Sequence, residues 1–189
     1  AGGDPLRATG LKIRRAWRRA KYAVLDLEDV GHLVFHFRMT GKVVVRRPAE
    51  KARLWFRAGD TEIAFEDARC LGQIWWLDAG DVAAFFEARA LGPEPWPDLR
   101  DGPWWSEQLE GLRGPIKPAL MRQERVAGIG NILASESCWR AILHPATPVP
   151  SLSEADWQRL ATSIHETISH TIQAESGEEI IYVNQGGLG

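Results

Sequence analysis

The sequence predicts an α+β protein, in which an antiparallel β-sandwich domain is followed by a helical domain. In residues 12–77 apolar and polar side chains alternate over short segments, which is the period of a half-buried strand. After residue 78 the apolar side chains recur every three or four positions, which is the period of an amphipathic helix. A proline-rich stretch at residues 92–97 separates the two patterns, and we place the domain boundary there, giving domains 1–97 and 98–183 and a flexible tail, 184–189.

Seven strands are predicted in the first region. Their short lengths and the Gly and Asp residues between them favour an antiparallel sandwich or barrel. In chain order they cover residues 12–22, 23–27, 32–39, 42–46, 53–57, 61–65 and 73–77.

Five helices are predicted after the strands. The first covers residues 81–89, with Asp81 as its cap, and three more cover 105–112, 116–123 and 131–142. The last begins at a capping box, Ser151-Leu-Ser-Glu154. Its apolar side chains repeat at three and four positions and form one buried stripe: Trp157, Leu160, Ala161, Ile164, Ile168 and Ile172.

The charge of the chain is distributed unevenly. The net charge is −2, yet residues 1–57 hold 14 Lys and Arg against 5 Asp and Glu, whereas residues 58–189 hold 9 against 20. Such asymmetry favours a polyanion as the partner of the basic segment. The alternative is a basic solvated face balanced by an acidic one.

Composition excludes several classes of protein. The apolar content of 44% and the charged content of 25% are ordinary for a globular protein. No apolar run reaches the roughly 18 residues that span a membrane. Cys70 and Cys138 supply neither a disulfide framework nor a four-cysteine zinc site. We therefore expect a reduced cytoplasmic protein that has no cofactor or metal in this chain.

A glycine turn precedes the helix at residues 131–142. Gly128 and Gly130 allow positive φ, and Asn131 is a residue that prefers the N-cap position. A turn of this kind leading into a helix is a potential phosphate site, because unpaired N–H groups and the positive end of the helix dipole point outward together. The alternative is a turn that only packs two helices together.

Three strings in the second region resemble the helix–two-turn–helix of the formamidopyrimidine-DNA glycosylase family. They are Ile116-Lys-Pro-Ala-Leu120, Gly128-Ile-Gly-Asn-Ile-Leu-Ala-Ser-Glu-Ser137 and Ala141-Ile-Leu-His-Pro145. The resemblance extends from about residue 11 to 182 and implies a sandwich followed by this helical domain. It also implies excision of oxidised purines (8-oxoguanine and formamidopyrimidines) from duplex DNA and lyase activity at abasic sites. A ribosomal protein uses a related glycine turn on RNA, but that alternative does not account for residues 11–77.

The resemblance implies functional residues in the first region. Lys21, in Arg18-Arg-Ala-Lys21, is similar to the family's strand lysine, which contacts the lesion's phosphates and aids β-elimination. Met39, in His36-Phe-Arg-Met-Thr-Gly41, matches the methionine that fills the space left by a flipped base. Arg69 and Leu71 lie in a loop similar to the family's Asp-Pro-Arg-Arg-Phe-Gly loop, whose first Arg pairs with the orphaned cytosine. In that loop Ala68, Cys70 and Leu71 replace the Pro, the second Arg and the Phe.

In the second region the resemblance assigns phosphate contacts to Arg113, Lys117, Gly130 and Asn131. The family's Lys-His pair before a core strand is altered here, since Glu50-Lys-Ala-Arg53 contains no histidine.

The family's nucleophile, an amino-terminal proline amine, has no match in the opening Ala1-Gly-Gly-Asp-Pro5, and no four-cysteine zinc finger is present. We expect a monomer that binds duplex DNA containing oxidised bases or abasic sites and is inactive alone. Two hypotheses remain: part of an active glycosylase, or a non-catalytic module that binds damaged DNA.

Overall fold

A computed structural model of the chain describes residues 3–45 and 52–175. The chain divides into two units, Ala1–Arg89 and Ala90–Gly189. The proline-rich connector packs with the second unit, because the Gly92 N–H donates to the Gln123 carbonyl (2.8 Å) and the Ala127 N–H donates to the Pro93 carbonyl (2.9 Å). Three sequence expectations fall outside the described residues: the flexible tail at 184–189, the last residue of the fourth predicted strand (Arg46), and the first two residues of the Glu50-Lys-Ala-Arg53 string.

The first unit is a β-sandwich of two antiparallel sheets. One sheet has the strand order β1-β2-β3-β7 and the other has the order β4-β6-β5. Side chains from both sheets form one core, which contains Leu27, Leu33, Phe35, Phe65 and Trp76. The strands are β1 (Ile13–Arg19), β2 (Tyr22–Leu27), β3 (Gly31–His36), β4 (Gly41–Val45), β5 (Ala52–Ala58), β6 (Thr61–Asp67) and β7 (Gln73–Asp78). The predicted β-sandwich is thus confirmed.

The outer face of the four-stranded sheet is covered by helix α1 (Asp81–Glu87). Val24, Val34 and Leu77 of the sheet pack against Val82, Phe85 and Phe86 of the helix. The prediction that Asp81 caps this helix was wrong by one residue: Gly80 is the N-cap, without a side-chain hydrogen bond, and Asp81 is the first helical residue.

The described residues of the second unit, 90–175, form four α-helices around a single core. They are α2 (Gly102–Gln108), α3 (Ile116–Leu120), α4 (Asn131–Arg140) and α5 (Glu154–Glu175). Trp105, Leu109, Ile116, Leu120, Ile129 and Leu160 are among the fully buried side chains. The helical domain predicted from the period of the sequence is therefore confirmed, although α2 begins three residues earlier than expected because Asp101 accepts the Trp104 N–H and caps it.

Two details of the helical unit correct the sequence prediction. Helix α5 is capped by Ser153, whose hydroxyl accepts the Asp156 N–H (3.2 Å) while Asp156 accepts the Ser153 N–H (2.9 Å). The capping box therefore lies two residues later than the Ser151 to Glu154 box. The buried stripe of α5 also ends early, since Ile172 is 46% exposed.

Helix α4 ends in a backbone conformation that an isoleucine rarely adopts. Ile142 has a φ of 56°. Its N–H donates to the Trp139 carbonyl (3.1 Å), and the Leu143 N–H donates to the Cys138 carbonyl (2.9 Å), which is the Schellman pattern of hydrogen bonds. Glycine is the residue that this position favours, because a Cβ atom is disfavoured in the left-handed region.

Among the described residues, no helix combines the length and the apolar character needed to cross a membrane.

We predict that Ile142→Gly raises the free energy of unfolding of the second unit by about 1 kcal/mol, because glycine relieves the strain at positive φ. The Ile142 side chain is 86% exposed, so its removal sacrifices little packing. Urea unfolding of the two proteins measures the difference. Ile142→Ala, which keeps a Cβ atom, serves as the control and should give little gain; a gain equal to that of glycine would show that strain is not the cause.

Candidate nucleic-acid interface

Two connections cross from one sheet of the sandwich to the other, and the Asp67 carboxylate joins them. The turn at 37–40 leads from β3 to β4, and the loop at 68–72 leads from β6 to β7. Asp67 is 2% exposed. Its Oδ1 accepts the Thr40 hydroxyl of the turn, and its Oδ2 accepts the Gly72 N–H of the loop at 2.6 Å. One buried carboxylate therefore fixes both connections at the same end of the sandwich.

The Asp67 carboxylate is held in its ionised form. The Thr40 hydroxyl and then the Gly72 N–H lower the pKa of Asp67, and together with the Arg69 and Leu71 N–H groups they outweigh burial, which acts in the opposite direction. Gly72 is required by space, because a Cβ atom there would lie 2.6 Å from Cζ of Phe65. The loop can accordingly approach the core closely enough for its backbone to reach the carboxylate.

The joined connections present the predicted insertion residues side by side. Met39 is 68% exposed and Leu71 is 46% exposed. A guanidinium nitrogen of Arg69 lies 3.9 Å from the Met39 sulfur. Exposed apolar side chains such as those of Met39 and Leu71 are suited to entering a base stack. The neighbouring guanidinium is suited to hydrogen bonding with a base that is left unpaired.

Lys21 lies in the tight turn between β1 and β2, not within one strand covering residues 12–22 as expected. The turn is possible because Ala20 adopts a φ of 51°, and the register then pairs Arg19 with Tyr22. Burial lowers the pKa of Lys21, and the charge of Arg38 lowers it further. A lysine of this kind is neutral in a larger fraction of molecules at a given pH, which suits it to proton transfer.

His36 and Arg38 extend the basic group around Lys21. His36 ends β3, pairs in register with Tyr22 and Gln73, and packs edge-on against the Tyr22 ring at 4.8 Å. Its Nδ1 accepts the Arg38 N–H at 3.2 Å. Burial and the charges of Arg38, Lys21 and Arg89 lower the pKa of His36 to about 4. His36 is thus a neutral ring at neutral pH, and this end of the sandwich concentrates positive charge.

In the second unit, the Gln123 side chain holds the glycine turn. Its amide nitrogen donates to the Met121 carbonyl (2.7 Å) and to the Ile129 carbonyl (2.8 Å), and its oxygen accepts the Gly128 N–H (3.0 Å). Gly128 has a φ of 104°, which favours glycine. These bonds fix the path of residues 124–130, and this explains why α3 ends at Leu120 and not at the expected residue 123.

Helix α4 starts directly after this turn and has no side-chain cap. Gly130 is the N-cap, so the expectation that Asn131 caps the helix was wrong: Asn131 is its first residue. Inside the helix the Ala134 N–H donates to the Gly130 carbonyl (2.9 Å), whereas the three N–H groups before it belong to the unpaired first turn. An uncapped, ten-residue helix whose first residue is exposed retains the donors for an anion.

Lys117 lies in the first turn of α3, and Arg113 lies in the segment between α2 and α3. The first turn of α3 is bonded elsewhere: the Lys117 N–H donates to the Pro145 carbonyl (3.2 Å) and the Ile116 N–H to the Thr147 carbonyl (2.8 Å). The charge of Lys117 acts on Cys138, near the carboxyl end of α4. Arg113 is exposed. Of the four predicted residues in this unit, Gly130 and Asn131 lie together.

Sequence reasoning gave no role to Asp67, Gln123, Arg38 or His36. The signal in the sequence was the presence of Gly72 and Gly128, since a glycine turn has backbone N–H groups that a nearby polar side chain must accept. Asp67 and Gln123 are those side chains. Within the described ranges, no group of three or more His, Cys, Asp and Glu side chains is arranged to hold a metal ion.

We predict that Arg38→Gln raises the pKa of His36 above about 4, because a positive charge beside the ring is removed. The pKa should stay below 6.5, since burial is the larger cause. Imidazole NMR signals followed against pH measure it. Arg69→Gln is the matched control and should leave the midpoint of the His36 titration unchanged, because Arg69 is not among the charges that act on His36. An Arg38→Gln variant whose His36 titrates like that of the original protein would contradict the assignment.

The low pKa of His36 also makes stability depend on pH. Between pH 6.5 and about 4 the unfolded chain carries a proton on this histidine that the folded chain lacks, so the free energy of unfolding should rise with pH over that range. Arg38→Gln should narrow the pH range over which it rises.

Two family models match this chain. Residues 5–74 match the formamidopyrimidine-DNA glycosylase N-terminal domain, and residues 91–182 match the formamidopyrimidine-DNA glycosylase H2TH domain. The matched segments correspond to the sandwich and to the helical unit.

Individual relatives agree with the family models. The formamidopyrimidine-DNA glycosylase of a Synechococcus species is 37% identical over 175 residues, which is 86% of this chain and 62% of that protein. A second, from Gloeobacter violaceus, is 31% identical over 182 residues, covering 92% of this chain and 64% of the relative. This chain therefore spans less than two thirds of the length of these relatives.

Solved structures show the same fold. The Lactococcus lactis enzyme, non-covalently bound to DNA that contains an AP site, superposes with a TM-score of 0.77 at 32% identity, covering 88% of this chain and 65% of that one. The Thermus thermophilus protein gives a TM-score of 0.76 at 30% identity, covering 87% of this chain and 61% of that one. The chain thus belongs to the formamidopyrimidine-DNA glycosylase family.

Proposed function

We propose that these residues form the DNA-engaging part of a glycosylase and AP lyase that removes oxidised purines from duplex DNA. The observation that carries the proposal is the Asp67-linked pair of connections, which presents Met39, Arg69 and Leu71 at one end of the sandwich. Relatives of this chain are named formamidopyrimidine-DNA glycosylase, and one was solved with DNA containing an AP site.

In this proposal the exposed apolar side chains fill the duplex where a damaged base has left it. Met39 is flexible enough to replace the base, and Arg69 contacts the base left unpaired on the opposite strand. Unstacking a base step costs a few kcal/mol, which contacts to the bent backbone offset. Because Leu71 replaces an aromatic ring and Cys70 a guanidinium, we expect weaker engagement than in a typical member of the family.

The basic group beside the insertion residues binds phosphate. Lys21 and Arg38 supply charge, and His36 supplies a neutral ring whose Nδ1 is already occupied by the Arg38 N–H, so that Nε2 carries the proton and can donate. In the helical unit the uncapped start of α4 takes a second backbone phosphate. We propose that the protein acts as a monomer and that these contacts need no metal or cofactor.

The second candidate function is a non-catalytic module that binds damaged DNA. The altered loop favours it: Cys70, which has a φ of 56°, and Leu71 stand where the resemblance places a second guanidinium and an aromatic ring. Both functions require the same DNA contacts and differ only in the covalent step, so a covalent trap separates them.

We predict that this chain binds a duplex containing an abasic site but gives no adduct with borohydride. In the lyase reaction an amine attacks C1′ of the ring-opened sugar, water leaves, and borohydride reduces the resulting iminium to a stable amine. None of the residues matched to the family corresponds to its nucleophile. Denaturing electrophoresis detects the adduct, and gel shift measures binding on the same sample.

An adduct that forms with the original chain and disappears in Lys21→Gln would contradict this prediction and make Lys21 the nucleophile. An intact duplex without the abasic site is the control for non-specific trapping. If neither binding nor an adduct is seen, the proposed DNA contacts are wrong.

We also predict that Asn131→Asp weakens binding to every duplex by about tenfold, because a carboxylate at the start of α4 repels phosphate. The same change should leave the helix as stable or slightly more so, since a negative charge is favourable at that end of the dipole. Lys117→Ala removes the separate phosphate contact that the resemblance assigns to this lysine, away from the start of α4, and should lower the slope of log K against log salt by about one. Arg140→Ala, which removes a charge from the other end of α4, is the control and should leave DNA binding unchanged; an unaltered affinity in Asn131→Asp would mean that the glycine turn is only structural.

A further inference from the structure

Arg89, just after helix α1, is held by groups that carry no negative charge. Its Nε donates to the Tyr22 hydroxyl oxygen (3.2 Å), and its Nη1 donates to the Phe85 carbonyl (2.6 Å). The guanidinium also lies near three aromatic rings, 3.3 Å from the centroid of Phe85, 5.3 Å from that of Trp75 and 5.5 Å from that of Tyr22. Such contacts hold a planar guanidinium in one orientation, which the ammonium of a lysine does not reproduce.

No carboxylate of the described residues pairs with Arg89. The ion pairs among these residues join other side chains. A carboxylate is the usual partner of a half-buried arginine, because pairing offsets the loss of water around the charge. Here the aromatic rings and neutral oxygens offset that loss, so the positive charge of Arg89 still acts on the groups around it.

Tyr22 links Arg89 to the basic group of the candidate interface. It begins β2 directly after Lys21, and in the register of β2 and β3 it lies opposite His36. The Tyr22 ring stands edge-on to the imidazole, with the ring centroids 4.8 Å apart. Three more rings, from β7 and α1, pack against Tyr22: Trp75, Phe85 and Phe86. Tyr22 is therefore held by packing around its ring and by Arg89 at its hydroxyl.

Two contacts set the orientation of the His36 imidazole. Its Nδ1 accepts the Arg38 N–H (3.2 Å), and its ring packs against Tyr22. The donor that remains for a phosphate is Nε2. Since a hydrogen bond weakens steeply as its angle becomes poorer, the direction of Nε2 decides how well it can bind a phosphate oxygen. A displaced Tyr22 ring would let the imidazole turn away from that direction.

The charge of Arg89 favours the same state of His36. Burial is the largest cause of the low pKa of His36, the charges of Arg38 and Lys21 follow, and Arg89 lowers it further, to about 4. A protonated imidazole carries a hydrogen on both nitrogens and could not accept the Arg38 N–H. By keeping the ring neutral, the charge of Arg89 preserves the hydrogen bond that orients it.

We propose that Arg89 is a positioning residue for phosphate binding: it fixes the Tyr22 ring, and that ring in turn directs His36 Nε2 towards a phosphate of the DNA backbone. Arg89 itself does not touch the DNA. The proposal rests on the function proposed above, in which His36 donates to a phosphate. It adds to that contact a residue from helix α1 and its carboxyl end, outside every motif in the sequence analysis.

The first test measures the affinity of Arg89→Lys for a duplex with an abasic site, because lysine keeps the charge but not the planar pair of donors. We expect affinity to fall about fivefold, as the loss of one directed hydrogen bond does. The slope of log K against log salt should not change, since a neutral His36 releases no counterion from the DNA. Tyr22→Phe should lower affinity equally, and the double variant should bind no more weakly than either single variant.

Arg57→Lys is the matched control and should bind the duplex like the original chain. Arg57 lies in the other sheet, beside the hairpin that joins β5 to β6, whereas Asp67 ends β6 at the candidate interface. Thermal unfolding checks that every variant is folded.

The second test uses NMR and needs no DNA. Nuclear Overhauser effects between the ring protons of Tyr22 and His36 should weaken in Arg89→Lys, because the Tyr22 hydroxyl loses its directed donor. The pKa of His36 should stay near 4 in that variant, since the charge is kept. In Arg89→Met, which removes the charge, the pKa of His36 should rise, by less than in Arg38→Gln because Arg38 is the larger cause.

The proposal is overturned if Arg89→Lys binds the abasic duplex as tightly as the original chain, or if the Overhauser effects between Tyr22 and His36 persist unchanged in that variant. It is also overturned if the salt slope falls by about one in Arg89→Met, which would make Arg89 a direct phosphate contact. If the original chain binds no duplex, the function proposed above fails. The Overhauser effects then decide by themselves whether Arg89 positions His36.

Discussion

The candidate site of the sandwich depends on one buried carboxylate. Asp67 accepts a hydroxyl from one sheet-crossing connection and backbone N–H groups from the other, so one carboxylate holds both segments. A buried charge is tolerated only when its hydrogen bonds are complete, and these donors complete them. The exposed residues Met39, Arg69 and Leu71 have little packing of their own, and their placement follows from the pairing below them.

Lys21, His36 and Arg38 lie together at the same end of the sandwich, and their mutual repulsion affects which of them carry a proton. Burial and neighbouring cations keep His36 neutral and lower the pKa of Lys21. A phosphate entering this region would supply the missing negative charge, and binding and proton transfer would then be linked through the same few residues. Arg38 is central to this linkage, because its charge acts on both groups and its N–H orients the imidazole.

The helical unit uses its two helix ends differently. Before α4, hydrogen bonds from the Gln123 side chain hold the glycine turn. The N–H groups in the first turn of α4 stay unpaired, which favours binding of an anion. At the other end the Schellman bonds pair the carbonyls of Cys138 and Trp139, but they place an isoleucine at a positive φ that glycine favours. The first arrangement leaves backbone N–H groups unpaired, and the second leaves the side chains of Trp139 and Ile142 exposed.

The fold class, the family and the residues that carry its motifs could be predicted from the amino-acid sequence, because periodicity and short strings are local properties of the chain. The sequence located Met39, Arg69, Leu71 and the glycine turn without any knowledge of contacts. The three-dimensional contacts were needed to show that Lys21 occupies a hairpin turn, that Asn131 starts α4 without capping it, and that Ser153 caps α5. Shifts of one or two residues depend on which backbone groups find hydrogen-bond partners. The roles of Asp67 and Gln123 also required these contacts, because each pairs groups that packing alone brings within reach.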